Sequence, residues 1–237
     1  MAGASHIGRV RKSNQDSFFF DESLGFVVVC DGIGGRKGGD IASQLAVEGI
    51  KTEFLKADRL RYDEISPFLC SAIDGVNQKI IQRGQAEEKP GMGTTINCLM
   101  FVGDRLHIGH VGDSRTYLYY QGHLWQLTLD HNLKMMLDRG WMNRHDLAPG
   151  AKEEALVRSL GLSERCDVDI YDIHVQPGQL FITCSDGLSG MISDRMIAAI
   201  VEKNENQIDQ LPQLLIAEAN RRGGRDNITV VVTQVGV

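Results

Sequence analysis

The chain has 237 residues, 42% of them apolar and 24% charged, enough for a well-buried core in one domain. Its net charge of −6, from 25 basic and 31 acidic residues, argues against a nucleic-acid partner, and no apolar run approaches the roughly 20 residues of a membrane helix. Cys30, Cys70, Cys98, Cys166 and Cys184 form no C-x-x-C pair and sit mostly in apolar runs, so they read as buried reduced thiols of a cytoplasmic protein; no signal-peptide pattern opens the sequence.

In chain order, short apolar runs predict strands over 17–20 and 26–30. Helical spacing follows over 40–55, with Ile41, Leu45, Val47, Ile50 and Phe54 along one side. It recurs over 65–81, with Ile65, Leu69, Ile73, Val76 and Ile80. Strands are then predicted over 94–101, 106–111, 116–120 and 124–127, separated by turn chemistry such as Val102-Gly103-Asp104 and Tyr120-Gln121-Gly122-His123. From 131 to 162 the chain is rich in charge and turn residues and reads as a helix followed by a surface excursion. Strands over 166–175 and 179–183, helices over 194–201 and 207–220, and a strand over 228–234 complete the chain. Consecutive hairpins with helices clustered elsewhere argue for an α+β fold on antiparallel sheets. No repeat or linker divides the sequence, so one domain over 1–237 is expected.

The chemistry lies in a recurring feature, an apolar strand ending in Asp beside Gly. It occurs at Cys30-Asp31-Gly32, Val111-Gly112-Asp113-Ser114 and Ser185-Asp186-Gly187, and in mirror form at Gly224-Arg225-Asp226-Asn227 ahead of a strand. Each spot puts a carboxylate where a rigid sheet can aim it, and carboxylate and carbonyl oxygens suit magnesium, manganese or calcium. A single Asp-Gly is an ordinary turn signal; four at strand ends make a metal cluster a serious alternative. The EF-hand spacing is absent, and so is the nucleophile elbow G-x-S-x-G. The glycine-rich run from Asp31 to Asp40 matches neither phosphate-binding loop pattern. Arg11 could fork a phosphate or be a plain surface arginine.

Together these segments resemble the metal-dependent protein phosphatases, the type 2C serine/threonine phosphatases, in their bacterial form. The motifs that carry the resemblance are R-K-S-N-Q-D from Arg11, D-G-I-G-G from Asp31, G-M-G-T-T from Gly91, G-H-V-G-D-S-R-T-Y from Gly109, L-T-L-D-H from Leu127, S-D-G-L from Ser185 and G-G-R-D-N-I-T-V-V-V from Gly223. The resemblance implies a four-layer α-β-β-α sandwich of two antiparallel sheets flanked by helices, with a variable flap within about 131–162. It implies hydrolysis of phosphoserine and phosphothreonine in proteins by a metal-activated water or hydroxide, with two or three divalent ions, manganese or magnesium. Asp31 would bridge two core metals, joined by the Gly32 carbonyl, Asp186 and Asp226, and Asp113 with Asp186 would hold a third. Arg11 would bind the substrate phosphate, and Asp16 and Asn227 would orient water around the metals. Ile33 stands where eukaryotic members carry a proposed acid histidine, and Asn132 where serine is usual. The partners implied are phosphoproteins made by a serine/threonine kinase, with neither nucleic acid nor membrane, and a monomer is expected. A catalytically inactive relative that binds phosphoproteins, and a hydrolase of small phosphorylated molecules, are the competing readings.

Overall fold

The computed structural model describes residues 1–34, 38–56, 60–89 and 91–236. Two antiparallel sheets form its centre. One has the order β1 (Ala2–His6), β11 (Ile228–Gln234), β10 (Leu180–Cys184), β7 (Arg115–Tyr120), β8 (His123–Gln126). The other runs β2 (Asp16–Asp21), β3 (Phe26–Ile33), β5 (Ile96–Val102), β6 (Arg105–Val111), β9 (Asp169–His174), and the short β4 (Gly93–Thr94) adds to β3.

Strand residues alternate between faces, so a strand covered on both sides reads as an unbroken apolar run. In β3, Val27 and Val29 point between the sheets, where they meet Leu99, Ile108, Phe181 and Val231. Phe26, Val28 and Cys30 point the other way, onto α1 (Gly39–Lys56) and α2 (Tyr62–Ala86). Val230 and Val232 of β11 likewise face α5 (Asp194–Lys203) and α6 (Leu211–Arg221). Each such side chain, when fully buried, stabilises by about 1.5–3 kcal/mol relative to exposure. The result is the four-layer α-β-β-α sandwich that the family resemblance implies. No helix among the described residues is long and apolar enough to cross a membrane.

Several details differ from the sequence reading. The strand β1 was not expected, since Ala-Gly-Ala-Ser-His has no alternating pattern; it exists because its backbone pairs with β11. α1 buries Ala42, Ser43 and Ala46 rather than Ile41 and Leu45, which are only partly covered. Small side chains let the helix sit close on the sheet, close enough for Ser43 Oγ to donate to the Gln15 carbonyl at 2.6 Å. The α2 stripe is as expected, with Ile65, Leu69, Ile73, Val76 and Ile80 fully buried. The run 94–101 breaks at Thr95 into β4 and β5, and only Asp169–His174 of 166–175 is strand. A single turn, α4 (Asp186–Ser189), follows β10, and residues 208–210 form a 3-10 turn ahead of α6.

The 131–162 excursion begins with α3 (Leu133–Asp138), capped by Asn132, whose side-chain oxygen accepts from Met135 N at 3.0 Å. Backbone bonds fasten the segment to the body at both ends: His131 N donates to Gly112 O, and Leu160 and Thr94 exchange two hydrogen bonds.

Candidate active site

The ends of β3, β6 and β10 and the start of β11 meet at one edge of the sandwich. There Asp31, Asp113, Asp186 and Asp226 line a single cleft of about 470 Å³, together with Arg11, Gln15, Gly32, Ile33, Thr95 and Asn227. The four Asp-Gly sites, scattered over nearly 200 positions of sequence, are thus one place in space.

Asp31 is held by its backbone. Its N–H donates to Thr95 Oγ1 at 2.9 Å, and its carbonyl accepts from Thr95 N and Thr94 Oγ1, each at 2.9 Å. This exchange is what interrupts the strand at Thr95. Gly32 follows, and a Cβ there would fall 2.2 Å from the Gly39 carbonyl oxygen and 2.5 Å from that of Gln15. On the facing side, Gly187 admits the backbone of Asn227, whose carbonyl oxygen lies 1.8 Å from where a Cβ would stand. That contact sets Asp186 and Asp226 side by side.

Asp16 and Asn227 support the cleft from behind. Asp16 sits opposite Asp31 in the β2–β3 ladder, and its Oδ2 accepts from Ser185 Oγ and Thr229 Oγ1, both at 2.7 Å. It thereby joins the two sheets at the cleft end, while its Oδ1 is buried without a hydrogen-bond partner. The Asn227 amide donates to the carbonyls of Ile7 and Ser13, each at 2.9 Å, and accepts from Gln15 N at 2.8 Å. These bonds fold the 7–15 loop so that it carries Arg11 to the rim. There the half-exposed guanidinium donates to Asp226 Oδ2 at 2.5 Å, which raises the Arg11 pKa.

The electrostatics are those of carboxylates buried together. Burial, and then Asp16, Asp186, Asp113 and Asp226, push Asp31 well above the usual range. Burial and Asp226 raise Asp186, against an opposing effect of the Asp31 carboxyl. Asp113 and Asp16 are pushed up to about 7, each chiefly by burial. Among the described residues no three His, Cys, Asp or Glu side chains stand as a ready-made metal cage. The donor chemistry nevertheless fits a hard divalent cation: the cleft offers oxygen ligands, and Asp186 Oδ1 is buried with nothing bonded to it. A cation would offset both the burial and the mutual repulsion that raise these pKa values.

Sequence reasoning missed Lys152 and Glu154, which reach the cleft from the return of the 131–162 segment. A charged, irregular stretch gives no signal of where it comes back. Gly35, Arg36 and Lys37 of the glycine-rich run lie outside the described residues.

Comparison with known proteins bears on the family and the fold. The family model described as protein phosphatase 2C matches residues 2–215. The serine/threonine phosphatase stp of Listeria monocytogenes is 32% identical over 233 residues, covering 96% of this chain and 92% of its own. The Streptococcus agalactiae serine/threonine phosphatase structure superposes with a TM-score of 0.89 at 32% identity, covering 99% of this chain and 98% of that one. The catalytic domain of the serine/threonine protein phosphatase PstP, solved in complex with two manganese ions, gives 0.86 at 31% identity over 100% of this chain and 97% of that one.

Proposed function

Because this chain belongs to the protein phosphatase 2C family, we propose that its cleft removes phosphate from phosphoserine and phosphothreonine in proteins, using divalent cations held by the four aspartates. The observation that carries this reading is the convergence of Asp31, Asp113, Asp186 and Asp226 beside Arg11, with one buried carboxylate oxygen left unbonded. Asp31, Asp186, Asp226 and the Gly32 carbonyl would hold two core ions, and Asp113 with Asp186 a third. Manganese or magnesium bound there supplies a nucleophile near neutral pH and charge to offset the phosphoryl oxygens.

The chain's own residues bind and orient. Arg11 offers its fork of N–H donors to two phosphoryl oxygens, and Asn227 keeps the loop that carries it in place. Asp16, with Oδ1 unbonded, can orient water at the cation site. No histidine lines the cleft among the described residues and Ile33 cannot donate a proton; water held at the cation site would protonate the leaving alkoxide. The substrates would be products of a serine/threonine kinase acting in the same cytoplasm, met by a monomer. An inactive binding relative is free to lose ligands, and this cleft keeps all four carboxylates.

Phosphate release from phosphothreonine peptides tests the reading. Activity is expected with manganese, lost on chelation and restored by added manganese. Turnover of small phosphorylated metabolites without turnover of peptides would replace the protein-phosphatase reading with the metabolite one.

Arg11→Ala is expected to lower kcat/KM by about 100-fold, the worth of two charge-assisted hydrogen bonds at about 1.5 kcal/mol each. Manganese binding by calorimetry should be unweakened, since removing Arg11 also frees Asp226 from its ion pair. Arg11→Lys should recover only part of the loss. Equal kinetics for all three proteins would return Arg11 to an ordinary surface role.

A further inference from the structure

The L-T-L-D-H segment has no part in the chemistry above, yet its histidine grips the cleft. His131 is fully buried. Its backbone N–H donates to the Gly112 carbonyl at 2.8 Å, and its ring Nδ1 lies 3.0 Å from the Gly112 N–H. Gly112 is the residue before Asp113. It has φ of +114°, and a Cβ there would fall 2.5 Å from Thr95 Cγ2, so this turn depends on hydrogen bonds rather than on side-chain packing.

The hydrogen bonds dictate the tautomer. A backbone N–H can only donate, so Nδ1 must accept, and the neutral ring carries its proton on Nε2. That nitrogen lies 3.1 Å from Asp169 Oδ2, which accepts it. The other Asp169 oxygen accepts from Arg158 Nη1 at 2.7 Å. Burial favours the neutral ring. A second imidazole, that of His110, packs against the ring with centroids 4.6 Å apart and donates its Nε2 proton to the Leu129 carbonyl.

We propose that His131 and Asp169 are positioning residues for the phosphatase reaction: Asp169 fixes the imidazole tautomer, and His131 holds the Gly112–Asp113 turn that aims Asp113 into the cleft. This rests on the reading of Asp113 as a carboxylate of the outer cation site. The chain of bonds ends at Arg158, in the return of the 131–162 segment, so the aim of Asp113 is set partly by that segment.

Asp169→Asn is the informative variant. Arg158 demands the amide oxygen, which leaves the amide NH2 facing His131 Nε2. The ring must then move its proton to Nδ1, where it confronts the Gly112 N–H. Nitrogen-15 NMR of the imidazole should report a switch from the Nε2–H to the Nδ1–H tautomer. Calorimetry should show the weakest manganese site of the full chain weakened at least tenfold. Adding Arg158→Ala releases the amide to turn its oxygen towards His131, and both the tautomer and the manganese affinity should recover. Thermal denaturation identifies any variant that merely unfolds, and the rescue by a second substitution is something a packing defect would not give. Asp113→Ala, expected to lose the weakest manganese site, separates the two ideas. If Asp113→Ala loses that site while Asp169→Asn leaves tautomer or affinity unchanged, the positioning role is wrong. If neither variant changes manganese binding, the outer-site reading of Asp113 fails and the proposal falls with it.

Discussion

Asp31→Asn lowers kcat on phosphothreonine peptides by on the order of 10³-fold or more at saturating manganese, the equivalent of about 4 kcal/mol of lost charge stabilisation. Asparagine has the same shape, and the bonds that hold this residue run through its backbone to Thr94 and Thr95, so the variant should fold. What it lacks is charge, at the centre of a cluster where Asp16, Asp113, Asp186 and Asp226 all raise the Asp31 pKa. A carboxyl whose folded pKa is raised favours folding fully only below its unfolded value of about 3.9, and that contribution is lost as pH rises towards the folded value. At neutral pH without added cations the variant should therefore melt no lower than the native protein. Its melting temperature should gain less from added manganese. Scanning calorimetry with and without manganese, beside steady-state kinetics, gives both numbers. Near-normal turnover in the variant would remove Asp31 from the centre of the reaction.

Gly187→Ala is expected to be nearly as severe, although the residue offers no functional group. A Cβ there would stand 1.8 Å from the Asn227 carbonyl oxygen, a backbone atom with no freedom to swing aside. Overpacking of this kind costs about 3 kcal/mol, or roughly 6–12 °C in Tm for a chain of this size. Relief can come only by parting Asp186 from Asp226, and a displacement of about 1 Å at a reacting centre can lower turnover on the order of 100-fold. Gly75→Ala, in the middle of α2 with open space around its Cβ position, is the control and should be neutral or slightly stabilising. Equal melting temperatures for the two variants would mean that the 186–187 and 226–227 segments are not packed backbone to backbone.

The parts of this molecule readable from sequence are those in which side chains decide the structure. β3 and β11 are covered on both faces, so their apolar runs announce central strands, and the α2 stripe is regular enough to give both helix and buried face. The four aspartate sites were visible because each lies at the end or start of an apolar strand with glycine beside it or, at Asp226, two positions before it. Where backbone decides, the sequence is quiet. β1 is an edge strand defined by its partner, α1 packs through alanines that hydrophobicity undervalues, and Asn227 spends its amide on the carbonyls of a loop two hundred residues away. Lys152 and Glu154 enter the cleft from a stretch whose periodicity is weak.

The pairing of β1 with β11 bears on how the protein comes into being. Ala2 lies opposite Val232, and the loop bearing Arg11 is tied down by Asn227, so the first and last parts of this cleft to be synthesised meet across more than 200 residues. Contacts of such separation form late, and ribosomes add only about 5–20 residues per second. A nascent chain can fold the α1–α2 layer on β3 while Asp31 and Arg11 still wait for Asp226 and Asn227. Hydrolytic competence therefore arrives in one step, when β11 docks between β1 and β10, and a nascent chain still lacking Asp226 and Asn227 has no centre with which to act on the phosphoproteins around it.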